Sequence, residues 1–142
     1  MGFETTVEIN ADPARVWEVM TDVERWPEWT DSAESVQKIE GGPLAEGIRV
    51  KIKQPRLPET TWRVTDVQPG RSFAWESKRM GMTTVATHAI VPGERGCTVF
   101  LTLEMTGLIA PVVARMYRGM VTRYMAMEAQ GLKARSESPP AA

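Results

Sequence analysis

The chain is 142 residues long with a formal net charge of −1, and 42% of its residues are hydrophobic and 25% charged. These values fit one globular domain whose core can stand without disulfides or metal. The lack of a basic excess argues against nucleic-acid binding, because phosphate neutralisation supplies much of that affinity.

At the N-terminus, MGFETTVEIN has neither a basic nor an apolar leader stretch, and no run of about 18 apolar residues occurs, so neither secretion nor a membrane span is expected. Phe3, Thr5, Val7 and Ile9 alternate with Glu4, Thr6 and Glu8, the period of a half-buried strand. Asp12 then offers an N-cap and Pro13 a first helical residue, and Val16, Trp17 and Met20 recur at helical spacing. A second short turn, VERW, stops at Pro27, since proline disfavours helix in the residue before it.

Between Ser35 and Thr106 the pattern predicts six strands in a meander, with turn signals at GGP (41–43), LPE (57–59), QPG (68–70), RMGM (79–82) and PGERG (92–96). Ile48, Val50 and Ile52 alternate with Arg49, Lys51 and Lys53, and Val99, Leu101, Leu103 and Met105 with Thr98, Thr102 and Glu104. Such strands belong to an antiparallel sheet with one solvated face. After Gly107 the pattern predicts one long helix from near Leu108 to about Arg135, with Val113, Met116, Met120, Tyr124 and Met127 on an apolar stripe. Residues 136–142 read as a polar, disordered tail, which leaves 1–135 as a single domain.

The expected fold class is therefore α+β, in the order β-α-α-β6-α. A curved antiparallel sheet of about seven strands must bury its apolar face, and the last helix is the only large cover.

This order, together with VEINADPARVWEVMTDVERWPEW, VTDVQPGRSFAWES, ATHAIVPGERGCTVFLTLEMTG and the closing helix, resembles the START-like helix-grip (SRPBCC) superfamily over residues 3–133. The resemblance is greatest to its polyketide cyclase/dehydrase-like branch. It implies an apolar cavity between sheet and helix that takes lipids, sterols, polyketides or hormones in different members. It fixes no single chemistry, because the superfamily includes carriers, cyclases and chaperone activators.

The residues expected to wall such a cavity are Val50, Ile52, Trp62, Trp75, His88, Leu101, Met116 and Met120. His88 is the sole histidine, and histidine is the side chain suited to exchanging protons near neutrality. It is the candidate general acid/base of a cyclase; alternatively it is a structural histidine bonded at the sheet, since no carboxylate stands at an evident partnering position. Trp26 and Trp29 of WPEW read as plugs seating the short helices on the sheet, or as an indole facing a ligand. Five methionines, Met105, Met116, Met120, Met125 and Met127, gather in or just before the last helix, as core filling or as a pliable lining. Arg49, Lys51, Lys53 and Arg63 form an outward basic stripe, a solvated face or a weak docking site for an acidic partner or membrane surface.

Cys97, the only cysteine, permits no intramolecular disulfide or cysteine-built zinc site, has no activating neighbours, and suits a cytoplasmic compartment. No metal-ligand set, phosphate loop or nucleophile elbow is present, and no cofactor is expected. The leading functional expectation is binding or transport of a small hydrophobic or amphipathic ligand. A cyclase or dehydratase using the same cavity is the enzymatic alternative, and an interaction module with a filled interior is the third. A homodimer is left open.

Overall fold

The computed structural model describes residues 2–139. In chain order the elements are β1 (Gly2–Ile9), α1 (Pro13–Thr21), a short 3-10 helix (Val23–Glu28), β2 (Ser35–Lys38), β3 (Arg49–Lys53), β4 (Thr60–Gln68), β5 (Ser72–Arg79), β6 (Met82–Gly93), β7 (Gly96–Thr106), α2 (Ala110–Met116) and α3 (Arg118–Glu137). All seven strands join one antiparallel sheet in the order β1-β7-β6-β5-β4-β3-β2. The meander makes every pairing except the last, in which β1 comes back to cover the free edge of β7.

Local chemistry accounts for the short helices. The Asp12 carboxylate accepts a hydrogen bond from the Ala14 N–H at 2.9 Å, with Pro13 in the first turn, so one of the orphan helix donors is satisfied. Val16, Val19 and Met20 are buried on the inner face of α1. Register then aligns the interior across strands: His88 stands opposite Phe73 and Leu101, and Trp75 opposite Val64 and Ala86. A bulge between Val64 and Asp66 bends β4 at that point.

The C-terminal helix is not continuous. It breaks at Tyr117, whose φ of −101° and ψ of 10° separate α2 from α3. The two pieces serve different packing partners. Ala110 and Ala114 of α2 close on Met105 in a small core, whereas α3 packs chiefly on β1 and α1 and adds Ala129 and Leu132 to the main core. The helix also runs further than the sequence suggests: Ser136 is buried, and the Glu137 carboxylate accepts the Asn10 N–H at 2.8 Å and a bond from the Lys133 ammonium at 2.7 Å. Residues 136 and 137 thus belong to the helix and not to a tail, and residues 140–142 of the expected tail lie outside the described residues.

Gly131 is set by tertiary contact, since a Cβ there would run into the Trp29 carbonyl oxygen and come within 2.9 Å of its ring. Gly119 faces open space. Gly131→Ala should therefore destabilise by about 1–3 kcal/mol through overpacking, while Gly119→Ala should stabilise by roughly 0.5–1 kcal/mol through helix propensity. Denaturant unfolding of both variants measures the contrast, and equal responses would contradict it.

The Lys133 ammonium and the Asn10 N–H hold the Glu137 carboxyl below the usual carboxylate range. A carboxyl more acidic in the folded state stabilises above its unfolded pKa, and that contribution disappears as pH falls through the folded value. The exchange protection of the Asn10 amide should accordingly fall only as pH drops below the ordinary carboxylate range. Glu137→Gln should show no such step.

Candidate functional site

Between the sheet and the α2–α3 pair lies a cavity of about 460 Å³, within the range of small-molecule sites. Its walls draw on both cores: Trp26, Ile52, Trp75 and Leu101 from the main one, and Met105, Val113 and Val121 from the smaller one beside α2. The interior is therefore not filled by its own side chains.

Six of the eight residues expected to form the wall do line this space: Ile52, Trp62, Trp75, His88, Leu101 and Met120. Val50 and Met116 do not. Val50 is fully buried within the main core, where its methyls meet protein on all sides. Met116 ends α2 and is 70% exposed, on the side of that helix opposite the inward Ala110 and Ala114. Of the other methionines in the closing segment, Met105 and Met125 also face the cavity, and Met127 does not.

His88 sits in an aromatic enclosure. Phe73 stacks on it at 4.3 Å between ring centroids with planes 8° apart, and Trp75 and Trp26 approach at 5.5 Å and 5.6 Å. Its Nε2 lies 3.4 Å from Oε2 of Glu128 on α3, and both residues line the cavity. Nδ1 is buried with no hydrogen-bond partner among the described residues. The tautomer that fits carries its proton on Nε2, aimed at the carboxylate, and leaves Nδ1 a bare acceptor. The 3.4 Å separation is too long for a tight hydrogen bond, so the pair keeps polar capacity free on the cavity side. Ser77 and Thr84, both buried, add hydroxyls to the same lining.

Sequence inspection found no partner for His88 because Glu128 stands on a different element. A signal existed: Glu128 falls four residues after Tyr124 and four before Leu132, both buried on α3, which makes it a lone acid within an apolar row.

The two tryptophans of WPEW divide the work. The Trp26 indole N–H donates to the Met20 carbonyl at 3.0 Å while its ring reaches the cavity. Trp29 packs on the α3 backbone at Gly131 and lines no part of the space. Tyr124 ties α3 to the β3–β4 loop, its hydroxyl donating to the Pro55 carbonyl at 2.5 Å.

Other candidates lie elsewhere. Arg49 is engaged by Glu40 at 2.6 Å and Lys53 by Glu34 at 3.5 Å, which neutralises part of the basic stripe. Burial, with a contribution from the Asp12 carboxylate, pushes the Cys97 thiol up, and a thiol held protonated is a poor nucleophile. Among the described residues no three His, Cys, Asp or Glu side chains gather as a metal site, and no helix is long and apolar enough to cross a membrane.

The fold recurs in solved structures. The Zhui aromatase/cyclase from Streptomyces sp. R1128 superposes with a TM-score of 0.74 at 18% identity, over 96% of this chain and 93% of that one. Norcoclaurine synthase from Thalictrum flavum gives 0.75 at 14% identity, again over 96% and 93%. A Helicobacter pylori protein, jhp0584, gives 0.78 at 13% identity, over 96% and 86%. Comparison of the sequence with curated proteins found no significant match. The family model described as polyketide cyclase/dehydrase and lipid transport matches residues 2–137. That span runs from the first residue of β1 to the last of α3, and the chain belongs to this family.

Proposed function

We propose that the chain binds a small amphipathic molecule whose apolar, aromatic or polyketide-like body lies against Ile52, Trp62, Trp75, Leu101 and Met120 and whose polar end meets His88 and Glu128. The observation that carries this reading is a cavity of about 460 Å³ with a largely apolar and aromatic wall that includes one buried histidine–carboxylate pair. Affinity arises from covering ligand surface, at about 25 cal/mol per Å² of apolar area, and the polar pair sets orientation. A hydroxyl or enol suits the pair best, since its oxygen accepts from Nε2–H while its own hydrogen is donated to the carboxylate. Membership of a family described by lipid transport as well as cyclase chemistry supports a hydrophobic ligand.

The same pair favours a second, enzymatic reading. A carboxylate and an imidazole that touch the same ligand group can take a proton from a carbon beside a carbonyl and return one to oxygen, as aldol closure and dehydration require. The aromatase/cyclase among the structural neighbours is compatible with it.

Binding of anilinonaphthalene sulfonate, a fluorescent amphipathic anion, tests the cavity. It should saturate at one site and disappear in Ala86→Leu, which fills the space from the inner face of β6, with the melting temperature little changed. Undiminished binding in that variant would place the dye elsewhere and remove the support for the ligand reading. Native mass spectrometry of the freshly purified protein then looks for a co-purifying molecule.

His88→Gln separates holding from chemistry. A carrier loses one orienting hydrogen bond, on the order of two- to ten-fold in affinity. An enzyme retains binding and loses about 10²- to 10⁴-fold in turnover. Turnover of a polyketide-like substrate by the parent, lost in His88→Gln and in Glu128→Gln, would overturn the carrier reading.

A further inference from the structure

One face of α2 is left uncovered beside the cavity mouth. Ala110 and Ala114 turn inward, and the opposite side presents Leu108 at 100% exposure, Val112 at 62% and Met116 at 70%. Met80, at the tip of the β5–β6 turn, is 81% exposed and lines the opening together with Ile109 and Tyr117. These features are neighbours. Gly107, at a φ of +119°, packs so closely on the opposing turn that a Cβ would strike the Gly81 carbonyl and stand 3.1 Å from the Met82 Cα. Isolated exposed apolar residues are ordinary, but a contiguous group of large ones marks a contact surface.

Charge identifies the partner. Residues 107–127 include Arg115, Arg118 and Arg123 and no acidic residue, although the whole chain is slightly acidic. Lys78 and Arg79 border Met80 on β5. Arg79, Arg115 and Arg118 have no carboxylate partner among the described residues; Lys78 has only Glu76 at 3.9 Å. Long apolar side chains interleaved with arginines match the interface of an anionic bilayer, where the apolar tips enter the acyl boundary and the guanidinium groups meet phosphates.

We infer that the face formed by Met80, Leu108, Val112 and Met116, ringed by Arg79, Arg115 and Arg118, docks the cavity mouth on an anionic phospholipid surface. An amphipathic ligand then passes between bilayer and cavity without crossing water. The docking stands on the exposed face and its charge and not on the ligand reading, so vesicle binding and dye binding can fail separately.

The test is flotation of the full chain with vesicles of phosphatidylcholine alone and of phosphatidylcholine containing phosphatidylglycerol. Binding should require the anionic lipid and weaken steeply with salt. Each cation near such a surface is worth roughly five-fold in partitioning, so Arg115→Glu with Arg118→Glu should reduce binding by more than about ten-fold. Leu108→Asp with Met116→Asp should abolish it. All four side chains are exposed, so melting temperature and dye binding should be unchanged in these variants. Three results would overturn the inference: no binding of the parent to anionic vesicles at low salt, undiminished binding of the Leu108/Met116 variant, or retention of the parent through these residues on immobilised polyglutamate or on a second copy of itself but not on vesicles.

Discussion

The indole of Trp26 is the contact on which the interior depends. Its N–H is committed to the Met20 carbonyl, which fixes the ring relative to α1. Its faces and edges meet Trp29, Trp75 and His88 at 5.4–5.6 Å. One side chain thus couples the first helix, the 3-10 turn and the middle of the sheet. An indole whose polar edge is satisfied can be buried at little cost and still offer a broad apolar surface. Pro27 matters for the same reason, since it sits within the 3-10 helix and shapes the turn that presents Trp26 inward and Trp29 toward α3.

From that anchor the aromatic group spreads across the strands. Trp75 meets Trp62 at 6.1 Å and Phe73 at 5.1 Å, and Phe73 in turn stacks on His88. Rings packed edge to face resist small rearrangements, so the imidazole is held in one orientation. That rigidity gives the His88–Glu128 pair its chemical meaning: the sheet supplies a fixed nitrogen, and the helix supplies the carboxylate.

Most strands were legible because they alternate with a period of two and end near proline or glycine turns, and Trp62, Trp75, His88 and Leu101 all line the cavity. The closing helix was less legible. Val113, Met116 and Met120 read as one stripe, but α2 turns Ala110 and Ala114 inward, which leaves Met116 outside while Val113 and Met120 line the cavity. Propensity gave no warning, since PVVARMYRGM contains a glycine but no proline at the break itself. Glu128 was missed for a different reason. A charged residue on a helix is normally assigned to water, and what brings it inward is the cavity, a property of the assembled fold and not of any local segment. The alanines at 110, 114 and 129 are buried in the two cores, which hydrophobic periodicity alone does not pick out.

A void of this size would collapse onto its walls if helix and sheet were held together only by the residues that line it, for close packing is the default state of a protein interior. The structure instead fastens its cover at the rim. Trp29 meets α3 backbone to backbone at Gly131, and the Tyr124 hydroxyl is tied to the Pro55 carbonyl. Neither of these contacts requires the cavity to be occupied or empty. They set the distance between α3 and the sheet independently of what lies between them, and so leave the lining free to be chosen for a ligand. Gly131 makes this possible, since a side chain there would run into the Trp29 backbone and lift the cover from its frame.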